Sequence, residues 1–152
     1  MSRRTAARSK ARAAARLAAT QALYQHEMEG MALAPLLHEF HQHRLGATIE
    51  DAEYAPADED YFDDIVTGTL ARTGEIDALI AAKLSKDWNL ERLDKPMKAL
   101  LRAATYELLA RADTATGTVI SEYVDVAKAF YDRREAGFVN GLLDAVAKDA
   151  RG

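Results

Sequence analysis

The sequence predicts an all-α fold of about six or seven helices. Alanine, leucine and charged residues, most of which favour helices, dominate the 152-residue chain. Only three prolines occur, and no segment shows the alternation of β-branched and polar residues that marks a half-buried strand. Apolar residues make up 49% of the chain, which is enough for a core without disulfides or metals. One domain over residues 1–152 is therefore expected.

The first two helices have clear ends. Residues 1–8 form a basic arm that we expect to be flexible, and a helix follows from about residue 6 to 29 and stops at Gly30, a residue suited to a C-terminal cap. A second helix starts near Pro35 and ends at Gly46. Residues 46–60 carry acids and no base, which is typical of a solvated loop.

The third pattern begins at Asp58, a good N-cap, and continues to Leu84. Gly68 and Gly74 interrupt it, so they mark either close helix crossings or a break. The segment Asp87–Leu90 is expected to turn the chain. Asp94-Lys95-Pro96 opens the next helix, because proline is tolerated in a first turn.

The remaining helices are read from their apolar stripes. After a break at 114–117, apolar residues from Val119 to Phe130 define one helix, and those from Phe138 to Val146 define the last. On a projection of the last helix, Phe138 falls at the edge of the core face and Asn140 falls off it. Phe138 therefore either packs in the core or contacts a ligand, and Asn140 is either a neutral exposed residue or a ligand contact.

Charge is divided unequally along the chain. Six basic side chains and no acid occur in residues 1–26, whereas residues 27–152 carry 24 acids and 14 bases, so charges of +6 and −10 give the net charge of −4. The basic residues are Arg3, Arg4, Arg8, Lys10, Arg12 and Arg16. This split indicates an arm that binds the phosphates of RNA or DNA, on an acidic body. A solvated terminus and a membrane-surface helix are the alternatives.

The helical projection separates two faces of the first helix. Arg4, Arg8, Arg12 and Arg16 fall on one arc of about 120°. A stripe on the opposite side is expected to be buried, and it consists of Ala13, Leu17, Thr20, Tyr24 and Met28. Tyr24 either packs in the core or stacks on a base. Arg133 and Arg134 lie just before the last helix, where its positive end favours a bound anion.

Several classes of function find no support in the sequence. The absence of cysteine excludes thiol catalysis and cysteine-ligated metals, and fits a reducing compartment such as the cytoplasm. No apolar run predicts a signal peptide or a membrane span. His38, His41 and His43 lack the spacing of a zinc-protease helix, and no phosphate-binding glycine loop occurs. We therefore expect no catalytic residue, metal, cofactor or small-molecule substrate.

Four ordered segments resemble the NusB family of bacterial transcription antitermination factors. They are ARxxAxxALYQ (15–25), LRxAxYEL (101–108), ISEYVDVAKAF (120–130) and FVNGLLD (138–144). The resemblance covers nearly the whole chain and implies two small packed helical bundles without catalytic activity. It also implies binding of single-stranded boxA RNA in ribosomal RNA leaders together with NusE. Other elongation factors and RNA polymerase would be contacted indirectly.

The resemblance also implies which residues make contact. The RNA surface would include Arg4, Arg8, Arg12, Tyr24, Phe138 and Asn140, to which the charge pattern adds Arg3, Arg16, Arg133 and Arg134. The NusE surface would lie around Tyr106 and Glu107. The alternative for Glu107 is a structural charge network that it forms with Arg102. The acidic loop 46–60 and the basic segment 132–137 depart from the family pattern. An RNA-modifying enzyme with a NusB-like half and a purely structural helical scaffold are the alternative hypotheses.

Overall fold

The computed structural model describes residues 3–43, 45, 48–49, 52–53, 57–85 and 89–152, and confirms the all-α prediction. These residues form seven α-helices: α1 Arg3–Glu29, α2 Leu33–His43, α3 Glu59–Ala71, α4 Thr73–Ala81, α5 Lys95–Ala110, α6 Thr116–Phe130 and α7 Arg133–Arg151. A 3-10 turn covers Leu90–Arg92, and two-residue strands β1 (Thr48–Ile49) and β2 (Ala52–Glu53) pair antiparallel.

Some predicted boundaries differ from the structure. Helix α1 begins at Arg3, so residues 3–8 are helical rather than a separate flexible arm. The predicted acidic loop 46–60 lies partly outside the described residues, and within them it includes the β1–β2 pair and the start of α3. Of the turn predicted over Asp87–Leu90, the first two residues also lie outside the described residues. Gly46 does as well, and α2 ends before it at His43.

The predicted helix caps are confirmed. Gly30 has a φ of 66°, which lies in the left-handed region. Its N–H donates to the carbonyl of His26 at 2.9 Å, and this left-handed residue ends α1. The Asp58 carboxylate accepts from the N–H of Tyr61, and that of Asp94 accepts from the N–H of Met97, both at 3.0 Å. Each carboxylate satisfies a backbone donor that has no partner within its own helix.

Helix α5 lies at the centre of the molecule. Helices α1, α2 and α3 pack against one another, as do α4 to α7, and α5 joins the two groups through contacts with α1 and α3. The two small bundles implied by the family resemblance are therefore present. Ten of the sixteen residues of α5 are buried, including Thr105 and Glu107. Such an all-round buried helix presents little surface of its own to a ligand.

The buried face of α1 is not the one that the projection predicted. Ala15, Ala19 and Ala22 are fully buried, and they lie within about 60° of Arg4 on the helix. On the predicted core stripe, Thr20 is buried as expected, but Tyr24 and Met28 are 37% and 52% exposed. The row of Arg4, Arg8, Arg12 and Arg16 therefore shares one helix face with the buried alanines. Arg4 and Arg8 are exposed at its start, whereas Arg16 at its end is buried.

Gly68 marks a close crossing of α3 and α5. A close crossing was one of the two interpretations of the glycines in this segment, and a helix break was the other. A Cβ placed on Gly68 would lie 2.1 Å from Cζ of Tyr106 on α5, whereas one placed on Gly74 would meet no atom within 4 Å. The break between α3 and α4 falls between the two glycines at Arg72, whose N–H donates to the carbonyls of Gly68 and Thr69.

In the part of the chain that the structure describes, no helix is long and apolar enough to cross a membrane.

The two glycines provide a matched test of this packing. Gly68→Ala is expected to destabilise the protein by about 1–3 kcal/mol, because its methyl group would overlap the Tyr106 ring. Gly74→Ala is expected to stabilise it by about 0.5–1 kcal/mol, since alanine loses less backbone entropy in a helix. Urea unfolding of both variants checks the pair. Equal effects of the two substitutions would contradict the close approach of α3 and α5.

Candidate nucleic-acid interface

The outer arginines of α1 are available to a ligand. Arg3, Arg4 and Arg8 have exposed side chains, and none of them forms an ion pair with a described residue. Their guanidinium groups lie on successive turns, where like charges repel one another. A bound polyanion would relieve this repulsion, so the first three turns of α1 form the described surface best suited to phosphate.

Arg12 stands between solvent and core. Its side chain is 15% exposed, and Nη2 lies 3.4 Å from Oδ2 of Asp113. Its Cζ lies 4.4 Å from the centroid of the Tyr61 ring, and Cζ of Arg111 lies at the same distance from that ring. Two cations therefore pack on one aromatic side chain, with Asp113 as their shared counter-charge. Arg12 contributes to the fold as well as to the basic face.

Arg16 does not reach solvent, and its predicted RNA contact requires correction. The residue is 2% exposed, and Nε and Nη2 donate to the two carboxylate oxygens of Glu107 at 2.8 and 3.1 Å. Burial opposes the charge of Arg16, but the hydrogen bond and charge of Glu107 prevail and raise its pKa. Since the guanidinium is engaged by a buried carboxylate, no phosphate can bind it in this arrangement.

The carboxylate of Glu107 accepts hydrogen bonds from side chains of three other helices. Besides Arg16, the hydroxyls of Tyr61 on α3 and Tyr123 on α6 donate to its carboxylate at 2.7 and 2.9 Å. Burial first, and then the negative charge of Glu107, raise the pKa of the Tyr123 hydroxyl. Glu107 itself is fully buried, so the predicted contact of this side chain with a protein partner requires correction.

Tyr106 is also unavailable to a partner, which corrects the second of the two predicted contacts. It is 6% exposed and packs against Gly68, and its hydroxyl donates to Oδ1 of Asp64 at 2.6 Å. Burial together with this hydrogen bond raises the pKa of Tyr106 to about 12. The LRxAxYEL segment is therefore a core segment, and a partner surface must be sought on other residues.

The first turns of α7 border two different grooves. Arg134 and Phe138 face α5 and line one groove together with Leu93 and Met97. Arg133 and Asn140 line the other, which lies between α6 and α7. Phe138 is 40% exposed, so it is not a core side chain, whereas the predicted core residues of α7 are buried: Val139, Leu142, Leu143 and Val146.

The predicted RNA residues form two groups at opposite ends of α5. Arg16 contacts Glu107 near the C-terminal end of α5, whereas Glu27 pairs with Lys98 at 3.6 Å near its N-terminal end, so α1 and α5 run antiparallel. Arg8 and Tyr24 are then separated by about 24 Å along α1. Only an extended ligand can contact both groups, and a nucleic-acid strand has that form.

His41, one of the three histidines of α2, has structural partners. Nε2 of His41 lies 2.6 Å from Oδ1 of Asp63, and Nδ1 lies 3.6 Å from Glu59, so His41 joins α2 to α3. The hydrogen bond with Asp63 raises the pKa of His41. Among the described residues, no group of three histidine or acidic side chains is placed to hold a metal ion.

The partners of Glu107 are the main feature that the sequence does not predict. The sequence predicts Arg16 as a phosphate ligand, and Glu107 either as part of a partner surface or as a member of a structural charge network with Arg102. One signal was present: Glu107 interrupts the apolar run of α5 between Tyr106 and Leu108, and a buried carboxylate needs a cationic partner. The identity of that partner, 91 residues away, is not encoded locally.

Removing the charge of Glu107 is expected to be costly. Glu107→Gln would leave the buried Arg16 without its main counter-charge, so the free energy of unfolding is expected to fall by about 3–5 kcal/mol in urea titrations. Glu75→Gln is the control, because the Arg72–Glu75 pair is 39% and 50% exposed and such pairs contribute about 0–1 kcal/mol. A loss of the same size in both variants would show that the cluster does not organise the core.

The amino-acid sequence of this chain is similar to those of known proteins. Residues 13–148 match a family model described as the NusB family. The transcription antitermination protein NusB of Sphingopyxis alaskensis is 68% identical over 144 residues, covering 95% of this chain and 97% of the relative. That of Novosphingobium aromaticivorans is 66% identical over 142 residues, covering 93% and 96% of the two chains.

Solved structures agree with these sequence matches. A crystal form of T. maritima NusB superposes with a TM-score of 0.76 at 30% identity, covering 93% of each chain. A crystal structure of the antitermination factors NusB and NusE in complex with dsRNA superposes with a TM-score of 0.74 at 26% identity, covering 91% of this chain and 96% of the other. The likeness therefore extends over more than nine-tenths of this chain.

Proposed function

We propose that this chain, which belongs to the NusB family, is a transcription antitermination factor that binds RNA and NusE and catalyses no reaction. We place it in the bacterial cytoplasm, where transcription takes place. The curated relatives that it matches along nearly their whole length are antitermination proteins, which favours this function over an RNA-modifying enzyme.

The observation that carries the proposal is the exposed row of arginines at the start of α1. Arg4 and Arg8 keep their guanidinium groups in solvent, whereas Arg12 and Arg16 on the same face are engaged by acids of the fold. The outer cations are thus left for a ligand on a chain whose net charge is −4. Phosphate contacts of this kind supply affinity that does not depend on sequence.

Selectivity requires contacts with bases. Phe138 and Tyr24 are exposed aromatic side chains on which unpaired bases can stack, and the amide of Asn140 can donate and accept at once. These are the means by which proteins commonly read single-stranded RNA. We therefore propose an unpaired boxA-type strand as the preferred ligand, with duplex RNA as the comparison because a related NusB–NusE structure contains dsRNA.

The partner surface is proposed to lie on the exposed side of the C-terminal half of α1. Because Tyr106 and Glu107 are buried, they cannot form it. Met28 is 52% exposed, the highest exposure among the four exposed large apolar side chains of the described residues. An apolar surface of this kind suits a protein partner such as NusE.

The central test is a binding titration with three RNAs. Matched boxA RNA is expected to bind more tightly than scrambled RNA and than boxA paired into a duplex. Saturating NusE is expected to strengthen the matched complex by about 1–3 kcal/mol, the usual size of coupling between linked sites, and RNA must strengthen NusE binding equally. Failure of all three RNAs to bind would contradict the function, and equal affinity with and without NusE would contradict joint recognition.

The outer arginines are expected to act through charge. Arg4→Gln with Arg8→Gln should weaken matched and scrambled RNA alike, and should reduce the slope of log affinity against log salt by roughly 0.7 per lost phosphate contact. Thermal stability should remain equal or rise slightly, because like charges are removed from one helix face. An unchanged salt slope would contradict a phosphate contact at these residues.

Asn140 separates selectivity from stability. It is exposed in the groove between α6 and α7, so Asn140→Ala should change the free energy of unfolding by no more than about a few tenths of a kcal/mol, as expected of an exposed helix position. Binding to boxA RNA should weaken much more than binding to scrambled RNA, because a base contact is lost. Equal weakening of both would instead identify a backbone contact.

A further inference from the structure

A tyrosine hydroxyl joins the junction between α6 and α7 to the start of α5. Tyr131 ends α6, where its N–H donates to the carbonyl of Ala127 at 2.8 Å. Its hydroxyl donates to Oδ1 of Asp94, the N-cap of α5, and the same oxygen accepts from the N–H of Met97. Burial first, and then the hydrogen bond and charge of Asp94, raise the pKa of the Tyr131 hydroxyl, so it keeps its proton at neutral pH. The bond therefore links two helix ends that are 37 positions apart in the sequence.

The first turn of α7 has few other packing contacts among the described residues. Its N-cap, Asp132, forms no side-chain hydrogen bond with the helix. Of residues 132–138, which the structure describes in full, only Ala136 is buried. A helix end with so few buried contacts opens locally at a low cost in free energy. The bond of Tyr131 therefore favours the closed, helical state of this turn over its open state.

The start of α5 is in turn connected to the C-terminal half of α1. Lys98 lies one turn after Asp94 on α5, and its N–H donates to the carbonyl of Asp94 at 3.0 Å. Nζ of Lys98 lies 3.6 Å from Oε1 of Glu27, whose other oxygen pairs with Arg102 at 3.3 Å. Glu27 directly precedes Met28, the exposed residue at which we place the NusE surface. A continuous set of contacts therefore runs from that surface to the first turn of α7.

We propose that Tyr131 is a positioning residue whose hydroxyl carries the coupling between RNA and NusE. NusE bound beside Glu27 restrains the start of α5, and the bond from Tyr131 to Asp94 passes that restraint to the turn that bears Arg133 and Arg134. RNA then meets a turn that is already ordered, so it loses less conformational entropy on binding. The effect is reciprocal, because RNA bound to this turn stabilises the same hydrogen bond.

This inference rests on the proposed joint recognition of RNA and NusE, and Tyr131→Phe tests it without removing a residue assigned to either surface. The substitution deletes one hydroxyl and keeps the ring. The affinity of the full-length protein for boxA RNA would be measured with and without saturating NusE. In wild type the two affinities are expected to differ by about 5–150-fold, the usual range for linked sites. In Tyr131→Phe the ratio is expected to fall close to one, while RNA and NusE each still bind alone.

The matched control is Tyr106→Phe, which removes a hydroxyl that also donates to an aspartate. The bond of Tyr106 to Oδ1 of Asp64, at 2.6 Å, joins α5 to α3 rather than to the start of α7. Its loss should lower the stability of the fold but keep the wild-type affinity ratio. The control therefore accounts for a general loosening of the helices around α5.

Amide hydrogen exchange gives a second readout that needs no RNA. In wild type, NusE alone is expected to slow exchange within residues 133–138, because restraint of α5 closes the first turn of α7. In Tyr131→Phe, NusE should leave the exchange of these residues unchanged. A purely structural role of the hydroxyl would speed their exchange in the variant but would not remove the response to NusE.

Three results would overturn the inference while the proposed function stands. The first is a wild-type affinity ratio that Tyr131→Phe retains, and the second is an equal loss of that ratio in Tyr131→Phe and Tyr106→Phe. The third is an exchange response to NusE within residues 133–138 that is the same in wild type and Tyr131→Phe. A wild-type protein that binds RNA and NusE without coupling would contradict joint recognition and this inference together.

Discussion

The buried carboxylate of Glu107 is the constraint on which the arrangement of the helices depends. It accepts hydrogen bonds from Arg16 on α1, Tyr61 on α3 and Tyr123 on α6, while its own backbone belongs to α5. An apolar core can lose its uniqueness before it loses stability. A buried charge adds a geometric requirement, because a relative position of these four helices that breaks its hydrogen bonds leaves the charge unpaired in the core.

This constraint also divides the arginine row of α1 into structural and exposed members. The same helix face carries Arg4, Arg8, Arg12 and Arg16, and the environment of each depends on its distance from Glu107. Arg16 is enclosed, Arg12 is held by Asp113 and the Tyr61 ring, and the two outer residues remain in solvent. The basic surface is thus an extension of the core stripe, and its position relative to α5 is fixed by the buried pair.

Local sequence signals predicted most of the helical framework. The caps at Asp58 and Asp94, the stop at Gly30 and the close approach at Gly68 depend on residues within one turn or on the size of one side chain. The core face of α7 was also predictable, because its apolar residues follow the helical period without interruption.

The faces of α1 and α5 were not predictable in the same way. A projection treats arginine as a solvent residue, and this assumption fails for Arg16 because its partner lies 91 positions away. Conversely, Tyr24 and Met28 are apolar but face outward, since alanines fill the narrow contact with α5. The family resemblance places Tyr106 and Glu107 in a family motif but does not distinguish a core motif from a binding motif.

We expect RNA to occupy preformed surface at the outer turns of α1 and the first turns of α7, while the Glu107 cluster stays intact. Amide hydrogen exchange of the full chain with and without boxA RNA tests this most directly. We expect slower exchange within residues 3–12 and 133–140, and unchanged exchange in 103–110 around Glu107. Faster exchange in 103–110, or protection confined to α3 and α4, would contradict it.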